Sequence, residues 1–201
     1  MIDEFFRAAS DGDLETLSRF PELVNIRHQG ASALHVAAIE GQMDAVRWLL
    51  EQGAVLDTKD DEFGMTPAAW ANEKGRTAVV EFLLSEGALI TPHEAAGFGK
   101  LERLQAFASA DPSVLEREEQ WGTPVHSACI WGRPEVLEWL ITQGADIRKR
   151  SRQGQTPLDI AEHQSKNGRS HTPIVLEERK AELERECARI VARLRGLVDG
   201  A

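Results

Sequence analysis

His126 and Cys129 are the two side chains whose types and spacing come nearest to a reactive site. They stand three positions apart, so on a helix they share one face, and imidazole and thiolate can both bind zinc. Two ligands do not complete a tetrahedral site, and Cys187 is the only other cysteine of the chain. The sequence also contains no glycine-rich phosphate loop, nucleophile elbow or two-histidine metalloprotease motif. We therefore predict that the chain is not an enzyme and holds no metal and no cofactor.

The segments that carry these residues recur along the chain. A pair of small residues, usually Ala-Ala, is followed three positions later by Gly. The copies run from Ala8-Ala9 to Gly12, Ala37-Ala38 to Gly41, Ala71-Asn72 to Gly75, Ala95-Ala96 to Gly99, and Ala128-Cys129 to Gly132. Successive glycines lie 29, 34, 24 and 33 residues apart, and a sixth copy at Ala161-Glu162 lacks the Gly. Each copy predicts one supersecondary unit that buries its apolar face only against neighbouring units.

Most copies also carry signals for where helices begin and end, although the first has no Thr-Pro start. A Ser or Thr hydroxyl before the small pair can cap a helix, and a following Pro suits the first turn. Gly after the pair suits the left-handed residue that ends a helix. A second apolar segment with helical spacing then closes on Gly-Ala, as at Gly53-Ala54 and Gly144-Ala145. Each unit is therefore predicted to be two helices joined by a turn.

These motifs resemble the ankyrin repeat, whose hallmark is Thr-Pro-Leu-His-x-Ala-Ala at a period of about 33 residues. The resemblance covers about residues 1–165 and implies an all-α fold, a solenoid of about six helix-turn-helix units with a long C-terminal capping helix. It implies a module that binds an unidentified protein partner through a concave groove and loop fingers. It also implies a structural role for the signature residues His35, His93, His126, Thr66, Thr123 and Thr156.

The units form two sets of three. We expect a first triplet over 1–88, made of an N-terminal cap and two repeats, and a second triplet over 89–168. A long C-terminal helix over 169–201 is expected to belong to the last repeat or to cap it. The short spacing between Gly75 and Gly99 predicts that the hairpin finger before Ile90 is missing. One continuous stack with a notch in its row of fingers is the favoured arrangement, and two triplets set at an angle is the alternative.

The C-terminal helix is predicted from about 172 to 195, beginning at Thr172-Pro173 and ending at Gly196. An apolar stripe runs along it through Leu176, Leu183, Cys187, Ile190, Leu194 and Leu197. The stripe either covers the last repeat or forms a seam for a second copy of the chain. Self-assembly as a homodimer through this seam is the alternative to a monomeric binding module.

Candidate binding residues follow from the resemblance, because in the family the two residues after the small pair and the finger tips line the concave face. The candidates are Ile39, Glu40, Met65, Glu73, Lys74, Phe98, Trp121, Ile130, Trp131, His163 and Gln164. Phe98, Ile130 and Trp131 are the expected anchors, since apolar groups at a groove are typical of binding hot spots. The alternative is that these residues pack against the C-terminal helix or beside the missing finger.

Charge narrows the class of partner. The formal net charge is −10, with 7 basic and 16 acidic residues over 1–90. We therefore expect binding neither to nucleic acid nor to an anionic membrane. The acidic N-terminus lacks a secretory leader, and two cysteines suit a reducing cytoplasm. An acidic finger tip (Asp57, Asp60, Asp61, Glu62) and a basic one (Arg148, Lys149, Arg150, Arg152) are expected to be solvated charges.

Overall fold

A computed structural model describes residues 1–167 and 177–200 of the chain. The chain divides into two compact units, Met1–Leu89 and Ile90–Ala201. Both are built from pairs of helices joined by short turns, so the predicted all-α ankyrin-type architecture is confirmed. Each unit has its own core of small and branched apolar side chains.

The first unit stacks three helical pairs. They are α1 (Ile2–Asp11) with α2 (Leu14–Ser18), α3 (Ala33–Glu40) with α4 (Met43–Glu51), and α5 (Pro67–Glu73) with α6 (Thr77–Ser85). The first helices of the pairs lie side by side in the order α1, α3, α5. A short antiparallel hairpin, β1 (Arg27–His28) and β2 (Ala31–Ser32), forms a finger before α3, with Arg27 opposite Ser32. Its two turn residues, Gln29 and Gly30, both have positive φ, as the tight hairpin turn requires.

The second unit repeats the arrangement. Its pairs are α7 (Pro92–Phe98) with α8 (Leu101–Ala110), α9 (Pro124–Ile130) with α10 (Pro134–Thr142), and α11 (Pro157–Asn167) with α12 (Glu177–Asp199). The first helices again lie in a row, in the order α7, α9, α11. The long helix α12 packs on α11 and α10, so it takes the place of the last repeat's second helix. Within the described residues, no helix combines the length and the apolar character needed to cross a bilayer.

The apolar stripe of α12 packs against the other helices of the second unit. Leu183, Cys187, Ile190 and Leu194 are all buried, Leu197 is half-buried, and Leu176 and Thr172-Pro173 lie outside the described residues. A seam for a second chain is therefore not free while α12 stays packed. The predicted end at Gly196 was wrong, because the helix continues to Asp199. A helical Gly costs only about 1 kcal/mol, which a long packed helix tolerates.

Long polar side chains connect successive repeats, and the sequence did not predict them. Gln42 Nε2 donates to Ser10 O (2.8 Å), Arg76 Nε to Ile39 O (3.1 Å), and Arg133 Nε to Gly97 O (2.8 Å). In each case the acceptor is the carbonyl two residues before the glycine that ends the preceding first helix. We call these contacts the inter-repeat bridges.

The bridges give the repeat glycine a second role. A Cβ at Gly12 would lie 2.8 Å from the Gln42 amide oxygen, and one at Gly41 would lie 2.9 Å from Arg76 Cδ. Both glycines also adopt a left-handed φ, of 75° and 80°. The left-handed backbone that ends the helix therefore favours glycine, and the absence of a side chain there also leaves room for the bridge from the next repeat.

Candidate functional site

Two of the signature histidines connect a helix start to the following finger. His35 Nδ1 accepts the N–H of Ser32 (3.2 Å), and its Nε2 lies 3.0 Å from Met65 O. His126 repeats this with Thr123 N (3.1 Å) and the carbonyls of Lys149 (3.1 Å) and Gln155 (3.3 Å). Each ring is a neutral imidazole that accepts at Nδ1 and donates at Nε2. Burial lowers the pKa of both His35 and His126, which keeps them neutral.

His93 stands two residues before its alanine pair, as His35 and His126 do, but it lies two residues after its helix cap instead of three. Glu94 stands three residues after Thr91, and its Oε2 accepts the N–H of Thr91 at 2.8 Å in a capping box. His93 lies one position earlier and is 7% exposed. Its Nε2 is 2.9 Å from Arg117 O, and its Nδ1 is 3.1 Å from Glu119 Oε1. The sequence signal is that only three residues separate Thr91 from the alanine pair, whereas four separate Ser32 and Thr123 from theirs.

The signature threonines begin helices as expected from the capping pattern. Thr66 Oγ1 accepts the N–H of Ala69 at 3.3 Å. Thr156 Oγ1 accepts the N–H of Asp159 at 3.1 Å and donates to its Oδ2 at 2.7 Å. These hydrogen bonds position the fingers, because each finger leads directly into one of these helix starts.

Asp60 is not part of a solvated acidic tip. It is 5% exposed, and its Oδ1 accepts the N–H groups of Glu62 (2.9 Å) and Phe63 (2.6 Å). Its Oδ2 accepts the N–H of Met65 and the indole N–H of Trp70, both at 2.9 Å. Burial alone would raise the pKa of Asp60, but these hydrogen bonds outweigh burial and lower it. The acidic residues around Asp60 therefore give no sign in the sequence that this carboxylate is buried and holds the loop.

Side chains of the basic finger, residues 148–155, also contact other residues of the second unit. Lys149 Nζ donates to Glu116 O (2.8 Å) and lies 3.3 Å from Glu116 Oε2. Arg152 approaches Glu118 at 4.0 Å, and Gln153 Nε2 donates to Gln120 O at 3.0 Å. The finger therefore contacts the preceding loop, residues 116–122, along its length. We call that loop the Trp121 finger.

Two tryptophans of the second unit lie at either end of α9. Trp121, in its finger, is 38% exposed, and Trp131, which ends the helix, is half-buried. The Trp131 indole lies over Gly97, where a Cβ would be 2.6 Å from its Cδ1. The missing side chain at Gly97 therefore makes room for the ring against α7.

Most of the other candidate binding residues are covered. Ile39, Phe98 and Ile130 are 7–8% exposed, Glu73 is 5% and Gln164 is 1% exposed. Glu40 and Lys74 form an ion pair at 2.7 Å, with side chains 34% and 12% exposed. Met65 and His163 are half-buried. Of the three expected anchors, only Trp131 keeps appreciable surface, because Phe98 and Ile130 turn into the core of the second unit.

His126 and Cys129, the two candidate zinc ligands, are not arranged to bind one metal ion. Both nitrogens of His126 have hydrogen-bonding contacts, as given above, and Cys129 is fully buried. Cys187 Sγ lies 3.6 Å from Cys129 O, and burial raises the pKa of the Cys129 thiol. Such a thiol stays protonated and packs as a small apolar group.

The family comparison agrees with this geometry. Residues 5–92 match the family model "Ankyrin repeats (3 copies)", and residues 93–141 match "Ankyrin repeats (many copies)". The chain belongs to the ankyrin-repeat family. Ankyrin repeats generally mediate protein–protein interaction and are typically non-enzymatic.

Ankyrin relatives of the chain include much larger proteins. A homologue of transient receptor potential cation channel subfamily A member 1 from Caenorhabditis elegans is 32% identical over 76% of this chain and 14% of that protein. An L-asparaginase from Dirofilaria immitis is 30% identical over 75% of this chain and 28% of that protein. The chain thus spans well under a third of the length of these curated relatives.

A solved structure shares the fold. It is described as a predatory endopeptidase from Bdellovibrio bacteriovorus in complex with an immunity protein, with a TM-score of 0.58 and 22% identity. The match covers 92% of this chain and 97% of that chain.

Proposed function

We propose that the chain is a protein-binding ankyrin module whose second unit docks a partner protein through the Trp121 finger and Trp131. The observation that carries the proposal is the exposure of Trp121 on a finger that is held from both sides. Tryptophan is among the residue types enriched at binding hot spots, and Trp121 keeps 38% of its surface exposed for contact with a partner.

The finger is ordered before any partner binds. Glu116 and Gln120 on one loop contact Lys149 and Gln153 on the next, at 2.8 to 3.0 Å. His93 contacts the same finger from α7. Binding of a partner to Trp121 would cost little conformational entropy, because the backbone of the Trp121 finger is already fixed.

Trp131 would supply the second contact at the other end of α9. Its indole is supported by α7 at Gly97, so the exposed part of the ring is presented in one orientation. The ion pair of Glu40 and Lys74 would contribute orientation in the first unit, as partly exposed charges do more for specificity than for affinity. We also propose a cytoplasmic location, which suits two free and buried cysteines.

A capture experiment with matched variants tests the proposal. Proteins retained by the immobilised full chain would be compared with those retained by Trp121→Ala and by Val55→Ala, a control that truncates a 57% exposed apolar side chain of the first unit. We expect Trp121→Ala to weaken retention of the specific partner by about tenfold or more, and Val55→Ala to leave it unchanged. Circular dichroism would verify that both variants fold. Equal retention by all three chains would refute the assignment to the Trp121 finger.

A further inference from the structure

A groove lies between α8 and α10, the first two outer helices of the second unit. Its volume is 550 Å³, which falls within the range of about 300–1,000 Å³ that is usual for small-molecule pockets. The lining combines one aromatic ring with hydrogen-bonding groups, and its residues include Gln105, Glu116, Trp139 and Gly144. Trp139 is half-buried, so part of its indole is open to a ligand.

The second unit lacks a hydrogen bond that the first unit makes at the corresponding turn. In the first unit Asn25 Nδ2 donates to the carbonyl oxygen of Gly53 at 2.9 Å. The corresponding residue of the second unit, 91 positions later, is Glu116, and a carboxylate has no hydrogen to donate at neutral pH. Within the described residues, no donor reaches the carbonyl oxygen of Gly144, which corresponds to Gly53. The groove therefore offers a carboxylate and a carbonyl oxygen to a ligand that donates.

The charges around the groove favour a cation. Both α8 and α10 end beside it, and the C-terminus of a helix carries partial negative charge. Among the described residues that line the groove, Glu116 alone is charged, and its side chain is 44% exposed. Lys149 Nζ lies 3.3 Å from Glu116 Oε2 but makes a shorter contact, 2.8 Å, with the Glu116 carbonyl oxygen. Exposed Glu102 and Glu135 lie one turn before the lining residues of α8 and α10.

We propose that this groove binds a small molecule that carries a guanidinium group. The planar cation stacks on the indole of Trp139, while its N–H groups donate to the Glu116 carboxylate and to the Gly144 carbonyl oxygen. An ammonium group fits less well, because it is more strongly hydrated and has no flat face to lay on the ring. Neither Trp121 nor Trp131 lines the groove, so the site is separate from the proposed docking surface.

Titration of the ¹⁵N-labelled full chain with ethylguanidinium tests the proposal. The indole N–H signals of the five tryptophans would be followed by NMR and assigned with single Trp-to-Phe variants. We expect the Trp139 signal to shift saturably with a dissociation constant of about 1–10 mM, since so small a ligand has few atoms to contribute. Trp48, at the corresponding position of the first unit, should show no saturable shift, because Asn25 already occupies the carbonyl there. Ethylurea, a neutral molecule of similar shape, should bind at least about fivefold more weakly.

Two matched variants test the role of the carboxylate. Glu116→Gln keeps an oxygen for the N–H of Asp146 and removes the charge, so it should weaken ethylguanidinium binding by about fivefold or more. Glu118→Gln, on the same loop, removes a carboxylate that approaches Arg152 and does not line the groove, so binding should be unchanged. Circular dichroism would verify that both variants fold.

The proposal is overturned if the Trp139 signal does not respond, or if Trp48 responds with the same affinity. It is equally overturned if ethylurea binds as tightly as ethylguanidinium, or if Glu116→Gln binds like the wild type. The titration uses no partner protein, so its result is independent of the capture experiment with Trp121→Ala.

Discussion

The two units hold corresponding finger loops in different ways. In both, the backbone turns back just before a helix-capping threonine, with Asp60 N bonded to Met65 O in the first unit and Ser151 N bonded to Gln155 O in the second. In the first unit the loop is held from within by the Asp60 carboxylate. In the second unit the loops are held by one another, through Lys149 with Glu116 and Arg152 with Glu118.

The difference shows how one repeat geometry can be stabilised by two kinds of contact. A buried carboxylate that accepts four hydrogen bonds fixes one loop from within, in addition to the contacts that Arg27 and Gly30 of the preceding hairpin make with Lys59 and Asp61. Exposed ion pairs are individually weak, so the second unit depends on several of them together. The first unit therefore adds a buried carboxylate to its contacts between neighbouring loops, whereas the corresponding loop of the second unit has no such carboxylate among the described residues.

Asp60→Ala should have the largest effect among single changes in the fingers. It leaves three backbone N–H groups and the Trp70 indole N–H without their acceptor. We expect the free energy of unfolding of the first unit to fall by about 2–4 kcal/mol, measured by urea denaturation at neutral pH. Since the pKa of Asp60 is lowered, its contribution is present above the ordinary value of 3.8 and declines as pH falls below it.

Two control variants sharpen this comparison. Asp61→Ala, next along the chain, removes only an exposed ion pair with Arg27 and should cost less than about 0.5 kcal/mol. Ser151→Ala removes a buried hydroxyl that has no hydrogen-bond partner in the described part of the chain, so the second unit should be unchanged or slightly stabilised. A loss at Ser151 as large as that at Asp60 would contradict the contrast between the units.

The inter-repeat bridges should contribute equally to the free energy of unfolding in both units. Arg76→Ala and Arg133→Ala each remove one hydrogen bond to a helix-terminal carbonyl and the packing of the side chain beside glycine. We expect each to reduce the free energy of unfolding by about 1–2 kcal/mol, measured by urea denaturation. If only one of the two substitutions lowers the free energy of unfolding, the bridges do not stabilise both units in the same way.

The helical framework could be predicted from the sequence because its signals are local. A threonine before Pro67 and a glycine such as Gly41 report a helix start and a helix end through capping and backbone conformation alone. The spacing of the α12 stripe predicts an apolar helix face, but it leaves open whether that face covers the last repeat or a second chain. The end of α12 was not predictable, since packing overrides a weak propensity at Gly196.

The site was harder to predict because its contacts are distant in sequence. Nothing local to Asp60 separates a buried anchor from its exposed neighbours Asp61 and Glu62. The repeat position of Phe98 and Ile130 predicts that they are binding anchors, yet the structure places both side chains in the core. The role of Arg76 and Arg133 had one available signal, their common place directly after a repeat glycine, which carries meaning only once the bridge is known.

The most direct test of the account is the hydrogen-exchange footprint of a captured partner on the full chain. Amides of residues 116–122 and the end of α9 around Trp131 should gain protection on binding, and the outer helices α8 and α10 should not. Protection confined to α8 and α10, with the Trp121 finger unchanged, would contradict a docking surface built on Trp121 and Trp131.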